Sequence, residues 1–199
     1  MTTALVFNKW DTTGITVVDP GLQRYLSVEA RIVPKTGARY AGKRFHKSKT
    51  FIVERLINKL MVSGHKSDKH YRSSGHFTGQ AATAHDKVKK AFLIVEQKTK
   101  TNPIKAFVQA IENAATREEI VTVEYGGARY PKATECSPQR RIDMVLRHFV
   151  QGALNASFNK KKSIEDSLAD EIVAAYQSDQ RSTAISKKLE LERQADASR

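Results

Sequence analysis

IVTVEYGGARYPKATECSPQRR, residues 120–141, changes its periodicity twice and so decides what kind of chain this is. Ile120 to Tyr125 alternates in the manner of a half-exposed strand, Gly126 and Gly127 suit the positive backbone angles of a tight turn, and Ala128 to Glu135 returns. Pro131 has no amide to give a ladder, which keeps this ribbon out of a larger sheet. A lone ribbon holds its shape only when packed on helices or on a partner, so it is expected to project from a helical body. Ser137 then reads as a helix cap and Pro138 as a first-turn residue, after which Ile142, Val145, Leu146, Phe149, Val150 and Ala153 share one face. At about 100° per residue Arg140 and Arg147 fall on the opposite face with Gln151 beside them, a cationic ridge. Arg141 is expected outside the buried stripe as well.

Outward from this stretch the period stays helical. Ile52, Val53, Leu56, Ile57, Leu60 and Met61 follow the spacing of one buried face, and Gly64 supplies a stop. Residues 67–79 read as a mobile loop. A second helix over about 80–98 buries Val88, Ala91, Phe92 and Val95 and leaves Lys87, Lys89, Lys90 and Lys98 for solvent or phosphate. Asn102 and Pro103 open a third, through Ile104, Phe107, Val108 and Ile111. Ser163, with Asp166 three residues on, opens a helix that buries Ile164, Leu168, Ile172 and Tyr176, and a last one runs from about Ser182. The expectation is a mainly α fold: a single helical-bundle domain of about six helices with one protruding β-hairpin at about 118–136 and a basic N-terminal arm. Residues 1–50 form the extension and arm, and residues 51–199 the helical domain. Within the extension, residues 4–33 read only as a small accessory segment, with a turn at Asp19 to Gly21.

Charge points to the ligand. Thirty-four Lys and Arg face 21 Asp and Glu, a formal +13. The excess sits in the first 162 residues, whereas 163–199 hold five basic and eight acidic side chains. Such a field attracts polyanions, nucleic acid first and anionic membrane surfaces second. The run KTGARYAGKRFHKSK, residues 35–49, carries Lys35, Arg39, Lys43, Arg44, Lys47 and Lys49 with no acid. A solvated tail that merely aids solubility would also carry such charge. Tyr40 and Phe45 among the cations favour nucleic acid, since flat rings stack on exposed bases. Arg129 and Lys132 on the ribbon, and Lys160 and Lys161 after the ridge helix, extend the cationic set.

Catalytic and metal chemistry finds little footing. Gly37, Gly42 and Lys43 stand at phosphate-loop spacing, but Arg44 occupies the place of the hydroxyl that binds magnesium. His65, His70 and His76 lie in a Lys- and Ser-rich loop without a thiol or a helical His-Glu-His arrangement. Cys136, the single cysteine, has no obvious base beside it and can form no internal disulfide. No apolar run reaches the roughly 20 residues a membrane span needs, and the start MTTALVFNKWDTT lacks a signal core, so a reducing cytosolic setting is expected. No enzyme, cofactor, metal or membrane partner is expected. The alternative from another class is a DNA-binding regulator with a basic helical domain.

Several separate blocks resemble the universal small-subunit ribosomal protein seven family in its archaeal and eukaryotic form. They are AGKRF at 41–45, IVERLINKLM at 52–61 with GHK at 64–66, SGH at 74–76, NPIKAFVQAIENAA at 102–115, YGGARYPKA at 125–133, SPQRR at 137–141, and LADEI with AISKKLELER in the tail. The YGG turn is more similar to archaeal members. The resemblance implies a structural, cytoplasmic protein of the small ribosomal subunit. It further implies binding to the 3′ major domain of the small-subunit rRNA, nucleation of head assembly, head and platform proteins as neighbours, and exit-site tRNA and the outgoing mRNA nearby. Carried over, Lys43 and Arg44 fall in the basic arm, Lys66 in the glycine-basic loop, Arg129 and Lys132 on the hairpin, and Arg140 with Arg141 at the helix start. His65 departs from the Gly-Lys-Lys of bacterial members, and a neutral imidazole contributes less charge at pH 7. Tyr130, Pro131 and Lys132 make the hairpin tip less cationic than in many relatives. Recognition is expected to combine many phosphate contacts with the shape of a folded RNA junction.

Overall fold

The computed structural model describes residues 4–31, 35–66, 69–70, 72 and 78–199. Six helices carry the body: α2 (Ile52–Leu60), α3 (Ala81–Thr99), α4 (Pro103–Ala114), α5 (Pro138–Ser157), α6 (Ile164–Tyr176) and α7 (Thr183–Asp196). Ahead of them Asp19 accepts a bond from the Gly21 amide at 2.8 Å and starts a single helical turn, α1 (Pro20–Gln23), where the sequence suggested only a turn. Helix α6 is the hub and packs on α3, α4 and α5. The apolar spacings explain why. Phe92, Phe107 and Phe149, from α3, α4 and α5, are fully buried and follow one another at 5.5 and 6.3 Å between ring centres. Burying each large apolar side chain contributes roughly 1.5–3 kcal/mol before entropy is counted. Met61 and Tyr176 are only partly buried against this core.

Local signals fix most helix ends. The Asn102 side chain accepts from the Ile104 amide at 2.9 Å, and Ser163 and Asp166 bond each other reciprocally. Helix α7 is capped by a neighbour instead: the Glu171 carboxylate on α6 accepts the Thr183 amide at 2.9 Å and the hydroxyls of Ser182 and Thr183. Gly152 on α5 makes room for that carboxylate, because a Cβ there would lie 2.2 Å from Glu171 Oε1. Ser137 stands at the N-cap position of α5 in extended conformation but makes no side-chain cap bond, contrary to expectation.

The N-terminal segment is no mere accessory. Val6, Trp10, Leu22 and Leu26 are buried in the core. The Trp10 ring lies edge-on to Phe92, and its indole N–H donates to Glu96 on α3 at 3.0 Å. Val6 and Trp10, like Leu22 and Leu26, stand four residues apart, but neither pair belongs to a longer periodic run, so only the tertiary structure reveals their role.

Strands β3 (Glu118–Tyr125) and β4 (Ala128–Glu135) pair antiparallel from Glu118↔Glu135 to Tyr125↔Ala128. Gly126 and Gly127 take φ of 56° and 81°, the pair of left-handed residues that a two-residue hairpin turn requires. The base of β3 packs on α7, and the distal half is exposed on both strands, so the ribbon projects. A second, two-residue ladder joins β1 (His65–Lys66) to β2 (Lys69–His70), the latter inside the segment 67–79 read as a loop. Most of that segment, including the Ser74-Gly75-His76 block, lies outside the described residues.

Candidate nucleic-acid interface

Residues 35–49 are built from consecutive turns that end in a short 3-10 helix, His46–Lys49. The Thr36 amide and hydroxyl bond the buried Glu54 of α2 at 2.7 and 2.6 Å. Lys47 bonds Asp143 on α5, and the Gln139 side chain donates to the Arg44 carbonyl at 3.3 Å. Burial works against the Asp143 carboxylate, but bonds from Lys47 and Arg55 hold its pKa below the ordinary value. Between these ties Arg39, Lys43 and Arg44 are exposed, as are Lys35 just before Thr36 and Lys49 beyond Lys47. The arm folds around a cleft of about 490 Å³ whose lining includes Arg31, Lys35, Arg39, Tyr40 and Lys49, with no acid among its described lining residues. A cleft lined by one sign of charge concentrates field lines and favours a polyanionic backbone.

A second cationic region follows the outer side of α5. Arg147 is exposed and shares a small hollow with Lys59 and Gly64. Burial first, and then the charge of Arg147, lowers the pKa of Lys59. Arg129 and Lys132 stand exposed on the ribbon beside Tyr125 and Tyr130, which are 82% and 58% exposed. Tyr130 faces Val123 across the ladder, so Tyr130, Val123 and Tyr125 share one side with Lys132. Lys160 and Lys161 are exposed in the turn after α5.

Arginines at the helix start are placed differently from the sequence expectation. Arg141 is buried, 8% exposed. Its guanidinium donates to Asp19 at 2.8 Å and to the Thr116 carbonyl at 3.1 Å, tying the N-terminal segment to the foot of the hairpin. It therefore lies inside the body rather than outside the buried stripe. Arg140 is exposed but bonds Glu119 of β3 at 2.7 Å. Lys87 and Lys98, expected free on α3, bond Glu165 and Asp170 of α6, and Lys162 also bonds Asp170. Lys66 belongs to β1, and its side chain lies outside the described residues.

A basic arm and a two-glycine ribbon projecting from a helical body invite comparison with known proteins. The family described as ribosomal protein S7p/S5e matches residues 22–199. The chain belongs to that family. It is 49% identical over 194 residues, 98% of each chain, to the small ribosomal subunit protein uS7 of Nanoarchaeum equitans. It is 46% identical over 195 residues to the small ribosomal subunit protein uS7 of Archaeoglobus fulgidus, covering 98% of this chain and 95% of the relative. Both relatives are archaeal, in keeping with the reading of the YGG turn.

Within this S7p/S5e chain the sequence located the arm and the ribbon but missed Arg31 and Lys59. Arg31 stands four residues ahead of the basic run and reaches back to donate to the Lys49 carbonyl at 3.1 Å. Lys59 looks like the polar side of an amphipathic helix until α5 brings Arg147 against it. Among the described residues no group of three His, Cys, Asp or Glu side chains could hold a metal ion, and no helix is long and apolar enough to cross a membrane. Burial, followed by the charge of Glu119, pushes the Cys136 thiol up to about 11, the reverse of an activated nucleophile.

Proposed function

We propose that this chain is a structural, non-catalytic component of the small ribosomal subunit in the cytoplasm that binds rRNA through its arm, ribbon and outer α5 surface. Membership of the S7p/S5e family supports the ribosomal role, and nothing in either relative's name favours a DNA-binding regulator. The observation that carries the chemistry is the acid-free cleft of the arm with Arg31, Lys35, Arg39 and Lys49 around it. Lys43, Arg44, Arg129, Lys132, Arg147, Lys160 and Lys161 extend the contact surface, and Lys66 belongs to it by family position. Double-stranded RNA hides its base edges in a deep major groove, so affinity comes chiefly from phosphates and shape.

The RNA is the 3′ major domain of the small-subunit rRNA, whose folding this chain nucleates during head assembly. Head and platform proteins are its neighbours, with exit-site tRNA and outgoing mRNA nearby. Residues 1–50 precede the helical domain of 51–199, with Val6, Trp10, Leu22 and Leu26 completing its core and 35–49 acting as its arm. Filter binding to a transcript of that RNA domain, against an unrelated structured RNA of equal length, tests this reading. A clear preference that falls steeply with salt is expected. Equal affinity for both RNAs would discard it.

A further inference from the structure

We propose that two carboxylates of the helical body, Glu54 on α2 and Asp143 on α5, are positioning residues for RNA binding: they strap the arm at Thr36 and Lys47 so that the exposed Arg39, Lys43 and Arg44 are set in place before RNA arrives. The inference rests on the rRNA-binding reading above. A loop carrying several cations and no acid repels itself and, left free, would extend. Here it is folded. The Arg39 amide bonds the Thr36 carbonyl at 3.2 Å, and the Ala41 amide bonds the Ala38 carbonyl at 2.9 Å. Ala38 is held at φ 61°, a left-handed conformation that a residue with a Cβ keeps only when its surroundings impose it.

One strap is anchored in the core and the other at its edge, where Asp143 is half-buried. Glu54 is 1% exposed, and its Oε1 receives both the amide and the hydroxyl of Thr36. Asp143 offers Oδ2 to Lys47 while Oδ1 is fixed by Arg55 at 3.0 Å, and Arg55, itself buried, also bonds the Tyr25 carbonyl at 3.1 Å. The buried Arg55 therefore sets where the half-buried Asp143 stands, and with it the strap. Binding to a fixed arm avoids the cost of ordering loop and side chains on contact.

The sign of one substitution separates this idea from simple electrostatics. Asp143→Asn adds one positive charge to the net, so field attraction alone predicts tighter RNA binding; loss of the strap predicts about tenfold weaker binding at constant salt. The full-length chain is titrated into the 3′ major domain transcript, and trypsin cleavage after Arg39, Lys43 and Arg44 is followed without RNA. Expected are weaker binding, faster cleavage in the arm, and no further loss from Asp143→Asn once Arg39, Lys43 and Arg44 are all alanine. Because Asp143→Asn leaves Arg55 without its carboxylate and could unfold the body, Lys47→Gln is compared with Lys105→Gln, which removes the same charge at an exposed site on α4 outside the proposed contact surface. Lys47→Gln should open the arm to trypsin and lose more affinity than Lys105→Gln. Equal behaviour of those two, or unchanged cleavage with unchanged or tighter binding in Asp143→Asn, overturns the proposal. If the unmodified chain shows no preference for the transcript while the arm is still released by Lys47→Gln, the strap stands and the choice of RNA falls.

Discussion

Two adjacent cation pairs, Lys43-Arg44 in the arm and Arg140-Arg141 at the start of α5, look alike in the sequence and serve opposite ends in the structure. Lys43 and Arg44 are exposed, and the Arg44 guanidinium lies 5.3 Å over the Phe45 ring. Arg141 is buried against Asp19 and the Thr116 carbonyl, and Arg140 is bonded to Glu119. The backbone around the first pair is held by acids of the body, which leaves its own charges free; in the second pair the charges themselves do the holding. The density of cations in a sequence is thus a poor measure of how many remain for a ligand. Partners supplied by distant segments decide it.

The largest effect that sharpens the contrast belongs to Arg141. Arg141→Ala strands Asp19 beside the core and leaves the Thr116 carbonyl without its donor, at a cost of about 3 kcal/mol. Urea unfolding should record that loss, with the N-terminal segment loosened from the hairpin foot; stability within about 0.5 kcal/mol of the parent would return Arg141 to the surface set. The buried flank of α5 makes a companion case seven residues further on. Burial, reinforced by Arg147 and Lys187, pushes the His148 imidazole down to about 4. Its folded pKa lies below the unfolded value, so the unfolded chain takes up the proton first. This contribution is therefore complete above about pH 6.5 and is lost as pH falls towards about 4, to a total of about 3 kcal/mol. Measured stability should decline through that window, and His148→Gln should flatten the decline.

For the exposed pair the signature is in binding. Lys43→Ala with Arg44→Ala should weaken affinity for the rRNA transcript by about tenfold to a hundredfold and reduce the salt slope by about two, one for each phosphate contact removed. The melting temperature should not move. A melting point lowered as far as that of Arg141→Ala, with the salt slope intact, would place the arm pair in the scaffold and dissolve the distinction.

Much of this fold is legible because the local signals agree with it. Asn102-Pro103, Ser163 with Asp166, and Gly126-Gly127 act within a few residues and sit where the sequence places them. The apolar stripe of α5 was equally readable, and it held the clue to Arg141: at about 100° per residue, position 141 lies only about 40° beyond Val145. Chemical type, a charged side chain assigned to the surface, overrode the geometry. Trp10 and Arg31 were hidden for another reason. Each acts through a partner far along the chain or outside its run, Glu96 for Trp10 and the Lys49 carbonyl for Arg31, and no periodicity announces such a contact. Within the candidate interface, position along the chain was therefore easier to read than availability.

Arg140 gives the smallest effect and the finest test, because it stands between the two classes. It is exposed like Arg44, yet its guanidinium reaches Glu119 at 2.7 Å across the junction of ribbon and helix. An ion pair open to solvent on one side contributes about 0.5 kcal/mol, so Arg140→Ala should barely shift unfolding. What it can change is the aim of the ribbon. Glu119 pairs with Thr134 at the ribbon's base, and a few degrees of freedom there are carried out to Arg129 and Lys132. If Arg140 serves the scaffold, Arg140→Ala and Glu119→Gln should weaken rRNA binding alike and together do no more than either alone. If it is a phosphate ligand held back by Glu119, Glu119→Gln should strengthen binding while Arg140→Ala weakens it. The opposite signs make the assignment without any need to resolve the small change in stability.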